Sequence, residues 1–346
     1  MNYAAPWWLP GGNLQTIWAA LRSRRYLGPP PVFRRERWDT PDNDFVDVDW
    51  MLDGNEPSSG LSAVSPAGSE SIEMKRKEAR KDVPLLVVFH GLEGSSASHY
   101  AEALADVARE RGWGCAIPHF RGCSGELNLA PRAYHSGDFA EIDWILRRFA
   151  KAHAGPVVAV GISLGGNALM RWAGELGAQA RQVVSGIASV CSPLDLTASG
   201  WAIGRGFNRQ VYTRMFLRTM VPKALKKLEQ HPGLFDRDRL LAARDLYAFD
   251  NVFTAPVHGF KDADDYWLRA SAKPHLRSIA VPALALNALN DPFVPAGSLP
   301  QAADAGSHVT LWQPAQGGHV GFPSPPFPGH VRAMPEAVTG FLAAHL

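Results

Sequence analysis

The sequence predicts an α/β protein: a mostly parallel central sheet with helices on both faces and a helical cap insertion over its carboxyl edge. Three observations predict it. From residue 85 onward, short continuous apolar runs alternate with longer amphipathic stretches. The apolar runs lack polar alternation, as expected of strands buried on both faces. The rhythm breaks once, over residues 194–272, where helical, basic and aromatic sequence intervenes. A chain of 346 residues is long for one domain, but α/β folds often reach that size as a unit, so residues 1–346 are read as one domain. With 46% apolar residues the chain can bury a large core without a disulfide or structural metal.

Taken in order, residues 6–10 (Pro-Trp-Trp-Leu-Pro) form an aromatic, turn-rich start, with Trp7, Trp8 and Trp18 expected to anchor the terminal segment to the body. A short helix is expected over 14–22 and strands over 32–38 and 45–51. The second of these alternates apolar and polar residues, which suits a half-buried strand near a sheet edge. Residues 53–82 break the pattern with Gly, Ser and Pro and then a basic end, and read as a mobile surface loop. Buried strands follow over 85–89, 114–117, 157–160, 183–189, 283–287 and 309–312, with helices over 100–111, 137–153, 165–176 and 335–346.

Composition excludes several classes. A formal net charge of +2 gives no basic footprint for nucleic acid. Cys115, Cys123 and Cys191 have no paired spacing, which argues against a disulfide scaffold and fits a reducing compartment. The start shows no signal-peptide pattern, and no run approaches the roughly 18 apolar residues of a membrane span. A cytoplasmic location is expected. Twelve histidines are scattered without ligand spacing, so no metal and no cofactor is expected.

Gly161-Ile162-Ser163-Leu164-Gly165 follows one expected strand and precedes a helix. Glycines two residues either side of a serine permit a tight strand-to-helix turn that exposes its hydroxyl. A serine hydroxyl needs a base to take its proton, and the base needs a carboxylate to orient it. Asp291 lies just past the strand 283–287, where open α/β sheets build sites; Asp262, Asp264 and Asp265 precede that strand, and Asp304 falls in an expected helix. His319 follows the last strand in Gln316-Gly317-Gly318-His319, whereas His308 precedes it and His330 follows a proline-rich stretch. An imidazole near its ordinary pKa serves as base at neutral pH. The oxyanion donors expected are the backbone N–H groups of Leu164 and of Leu92, the latter in the glycine-rich loop after 85–89. That loop has neither a P-loop ending nor a dinucleotide fingerprint. Arg121 is expected to pair a nearby acid, and Cys123 to be a spectator thiol.

Together these pieces resemble the YheT-like branch of the α/β-hydrolase fold, which includes plant EMB8-type proteins and animal membrane-associated lipid hydrolases. Matching stretches are 12–17, 90–100, 120–126, 134–138, 161–167, 249–265, 290–295 and 317–322. The resemblance places a triad on Ser163, Asp291 and His319 and implies carboxylic esters, among them acylglycerols or other lipid esters. Asn13 and Asn290 depart from the family pattern, which has His and Asp there.

The expected activity is ester hydrolysis through an acyl-enzyme on a small-molecule ester. The alternatives are an acyltransferase on the same triad and a non-catalytic small-molecule binding protein. Residues 206–230 read as a cap helix with its apolar face on the pocket and its charges in water, with peripheral membrane contact as the alternative.

Overall fold

The computed structural model describes residues 3–52 and 82–346; the loop expected over 53–82 lies outside them but for Asp82. Its centre is one eight-stranded sheet in the order β1-β2-β4-β3-β5-β6-β7-β8. The strands are β1 (Phe33–Asp39), β2 (Phe45–Met51), β3 (Leu85–Phe89), β4 (Gly114–Pro118), β5 (Val157–Ile162), β6 (Gly186–Val190), β7 (Ala283–Leu286) and β8 (Val309–Trp312). β2 runs antiparallel to β1 and β4, and every other pairing is parallel.

The strand period of two divides the core. Leu85, Val87 and Phe89 of β3 point to one face with Val157 and Ala159 of β5. Leu86 and Val88 point to the other with Val158, Val160 and Ile162. Helices α3 (Phe139–Ala152) and α4 (Leu164–Leu176) cover the first face, while α2 (His99–Glu110) and α8 (Ala333–Ala343) cover the second. Each such fully buried Leu, Val, Ile or Phe contributes roughly 1.5–3 kcal/mol by leaving water, so both faces need covering.

Between β6 and β7 the chain builds α5 (Leu196–Ile203), α6 (Arg214–Gln230) and α7 (Ala263–Ala270), joined by shorter turns. Asp195 and Asp262 cap α5 and α7 by accepting the Ala198 and Asp265 amides at 3.0 and 2.9 Å. A π-type turn, Arg209–Thr213, leads directly into α6. Before β1 lies α1 (Gly12–Leu21).

Four local expectations need correction. β2 is buried nearly throughout, not half-buried. Arg35 and Arg37 of β1 pair with Asp49 and Asp47 at 2.8 Å, so the polar residues of the alternation are sealed in ion pairs. β6 starts at Gly186 because Ala180 O accepts the Val183 and Val184 amides at 3.0 Å, prolonging a 3-10 turn. Asp304 sits in a turn, where its carboxylate accepts the Gln301 amide at 2.8 Å. Trp7 is 89% exposed, leaving Trp8 and Trp18 to pack against Phe327.

Candidate active site

β5 ends in a turn whose geometry its sequence dictates. Ser163 has φ 51° and ψ −117°, a strained conformation for a residue with a Cβ. Two glycines make room for it. A Cβ on Gly161 would lie 2.4 Å from Gly166 Cα, and one on Gly165 would lie 2.5 Å from His90 O. The turn puts Ser163 at the start of α4 and aims its hydroxyl off the sheet edge.

The loops after β7 and β8 meet it there. His319 Nε2 lies 3.0 Å from Ser163 Oγ, and His319 Nδ1 lies 2.9 Å from Asp291 Oδ2. In a neutral imidazole, Nδ1–H therefore donates to the carboxylate and Nε2 accepts from the hydroxyl. The other Asp291 oxygen accepts the Phe293 amide at 2.7 Å. The Asp291 side chain is fully shielded from solvent, whereas His319 is 10% exposed. The Phe293 ring lies 4.1 Å from the imidazole, closing one side of it.

Leu92 and Leu164 line the same cavity as Ser163 and His319. Among the described residues, the amides on either side of Leu92 are engaged while its own is not: Gly91 N–H donates to Tyr100 Oη at 3.0 Å and Glu93 N–H to Tyr134 Oη at 2.9 Å. Glu93 itself has φ 56°, and Tyr134 and Lys223 hold its carboxylate at 2.9 Å each. Behind the loop, His90 accepts the Phe120 amide at 3.0 Å and contacts Gly91 O at 2.7 Å. Burial lowers its pKa to about 3, so it stays neutral and acts as a strut.

The sequence reading missed the brace beneath these loops. Gln15 Oε1 accepts Asn290 Nδ2 and the Gly317 amide at 2.9 and 2.8 Å. Asn290 Oδ1 accepts the Gly318 amide at 2.9 Å, and Thr16 Oγ1 accepts the His319 amide at 2.8 Å. The resemblance singles out the stretch 12–17 and Asn290, with a role for neither. Arg121 pairs with Asp42, Asp44 and Glu141, tying the loop after β4 to the start of β2. For Asp44, burial alone would raise the pKa, but hydrogen bonds from Asn128, two backbone amides and Arg121 outweigh it and lower it to about 2.

Cys191, Asp291 and His319 present ligand-type atoms within 4.8 Å of one another. A metal thiolate would need a deprotonated sulfur. Burial, then the Asp291 charge, push the Cys191 thiol well above its ordinary value, and the sulfur accepts the Val320 amide at 3.2 Å. The set reads as hydrogen-bonded side chains under the histidine loop. Burial likewise pushes the Cys123 thiol up to about 12, which suits a spectator.

The cavity beside Ser163 opens to solvent. Phe216 and Met220 of α6, together with Phe249, Phe253 and Trp267, make its walls mostly apolar. The stretch expected as a cap, 194–272, thus supplies much of the lining.

The strand order and the serine turn define the class: this is an α/β-hydrolase-fold protein. The chain belongs to the family described as alpha/beta hydrolase fold, which matches residues 84–326. Within it, the chain belongs with YheT of Escherichia coli (strain K12), which carries an esterase designation. The two are 37% identical over 309 residues, 85% of this chain and 82% of YheT. Phospholipase ABHD3 of Mus musculus is 27% identical over 91% of this chain and 72% of its own length. Monoacylglycerol lipase of Saccharomyces cerevisiae is 29% identical over 69% and 55%. Est1E from Butyrivibrio proteoclasticus, solved with ferulic acid bound, shares the fold at 14% identity, with a TM-score of 0.53 over 90% of this chain and 98% of that one. No helix among the described residues is long and apolar enough to cross a membrane.

Proposed function

We propose that this protein is a serine hydrolase that cleaves carboxylic esters through an acyl-enzyme intermediate. One observation carries the reading: the continuous hydrogen-bonded run from Ser163 Oγ through His319 to Asp291. The esterase, phospholipase and lipase designations of its relatives support the ester class.

In this mechanism Ser163 Oγ attacks the ester carbonyl as His319 Nε2 takes its proton. Asp291 holds the resulting imidazolium. The carbonyl oxygen becomes an oxyanion against the N–H groups of Leu92 and Leu164. Collapse breaks the C–O bond to the alcohol, which leaves with the proton from Nε2, and Ser163 keeps the acyl group. Water then attacks that acyl-serine, giving its proton to Nε2, and the second collapse returns the proton to Ser163 and releases the acid. The mostly apolar cavity, walled in part by Phe249 and Trp267, accepts the acyl chain.

Turnover of a p-nitrophenyl ester and labelling by a fluorophosphonate probe test it. Ser163→Ala should lose both while keeping the wild-type melting temperature. Wild-type turnover in that variant overturns the reading.

A further inference from the structure

Helix α6 and the turn before it carry two apolar stripes on opposite sides. The inner stripe, Phe216, Met220 and Ala224, lines the cavity. The outer stripe is Phe207, Val211 and Met215, spaced four residues apart so that the side chains stand in one row. These three are 53%, 36% and 52% exposed, and none lines the cavity. Phe207 touches the Tyr212 ring edge-on, 6.1 Å between centroids, yet about half of it and of Met215 stays in water, on a helix already anchored by its other face.

The charges around the row are of one sign. Arg205, Arg209, Arg214 and Arg218 are all exposed, and no Asp or Glu occurs between Asp195 and Glu229. Among the described residues none of these four arginines has a carboxylate partner, although exposed arginines elsewhere do: Arg147 with Asp143, and Arg269 with Asp265. Arg205 instead lies over the Trp201 ring, 5.5 Å from its centroid, and Trp201 is itself 39% exposed.

We infer that this outer face of α6 docks on an anionic lipid surface. The apolar row enters the interfacial layer while the guanidiniums meet lipid phosphates, which they can grip with two hydrogen bonds each. Charge complementarity selects this occupant. A second copy of the chain would oppose four arginines with four arginines, and a neutral bilayer would leave them without anions. Because the same helix walls the cavity, docking brings the site to the lipid layer. The inference concerns binding and stands apart from the proposed chemistry at Ser163.

Co-sedimentation of the full-length protein with vesicles tests it, using phosphatidylcholine alone and phosphatidylcholine containing a quarter phosphatidylglycerol. The protein should pellet with the anionic vesicles only, less so as salt is raised. The double variant Arg209→Ser, Arg214→Ser should weaken partitioning roughly tenfold or more, at about one kcal/mol per cation. Phe207→Ser with Met215→Ser should weaken it comparably. Both variants should keep the wild-type melting temperature, and Ser163→Ala should bind as the wild type does, which separates docking from catalysis. Pelleting with neither vesicle, equal pelleting with both, or wild-type binding by the arginine variant overturns the inference. So does a dimer by light scattering that Phe207→Ser converts to monomer, since the row is then a self-interface.

Discussion

Gln15 and Asn290 stand 275 residues apart in the chain and 2.9 Å apart in the fold, Oε1 of one accepting Nδ2 of the other. Gln15 is fully buried, and its amide nitrogen donates to Leu9 O at 2.9 Å. Its oxygen also takes the Gly317 amide, so one side chain in α1 ties together the loop bearing Asp291 and the loop bearing His319.

Replacing Gln15 by Leu strands the Asn290 and Gly317 donors and frees both loops. The expected result is a loss of about 1–3 kcal/mol in stability, read by denaturant melts. On the proposed mechanism, turnover number should fall roughly 10–100-fold with little change in KM, because misplacing the proposed base costs rate more than binding. A variant with wild-type kcat and a lowered melting temperature would make Gln15 purely structural.

On the proposed mechanism, Asp291→Asn keeps the shape but presents a donor or a neutral acceptor to His319 Nδ1. The imidazole can then adopt the wrong tautomer, and the imidazolium loses its counter-charge. Ester turnover should drop roughly 10³–10⁴-fold. Steady-state kinetics on a p-nitrophenyl ester decide it; a drop below tenfold would remove Asp291 from the proposed role.

Gly165 has no space to grow. An added Cβ would meet His90 O at 2.5 Å and Phe89 O at 2.6 Å, both backbone atoms of the strand end that carries the proposed oxyanion loop. Gly165→Ala should cost at least about 2 kcal/mol and reduce fluorophosphonate labelling of Ser163. Wild-type stability and labelling would show that the turn can relax.

Asp250 is a carboxyl group in the apolar cavity wall, held by Trp267 Nε1 at 2.8 Å. Burial pushes its pKa up to about 6, against hydrogen bonds from Thr254 and Trp267 that pull it down. Its folded pKa is thus above its unfolded one. The neutral form's contribution is complete below about pH 4 and is lost as pH rises through about 6. Asp250→Asn keeps an acceptor for Trp267 and cannot ionise. The variant should therefore gain on the wild type by up to roughly 3 kcal/mol between pH 4 and pH 7, read as the difference in melting temperature across that range. A pH-independent difference would contradict it.

The strands and helices of the sheet were legible because their signals are local. Continuous apolar runs such as Leu85–Phe89 announce burial on both faces, and the glycines at 161 and 165 announce a turn. Ser163, Asp291 and His319 could each be picked out by position relative to a strand end. Trp7 misled because aromatic character does not reveal whether burial follows: its ring meets Trp8 edge-on and otherwise faces water, whereas Phe327 reaches Trp8 and Trp18. Asp304 misled because a side-chain acceptor for its own turn competes with the helix.

By itself, then, the sequence determined the layered α/β architecture, the strand-to-helix serine turn and the loops from which an acid and a base could come. The tertiary structure alone decided the 3.0 Å approach of His319 to Ser163, the Gln15 brace and the ion pairs that bury Asp47 and Asp49. The division has a physical cause. Periodicity and backbone sterics act between near neighbours, whereas a buried polar group is satisfied by whichever partner the fold brings within about 3 Å, however distant in the chain.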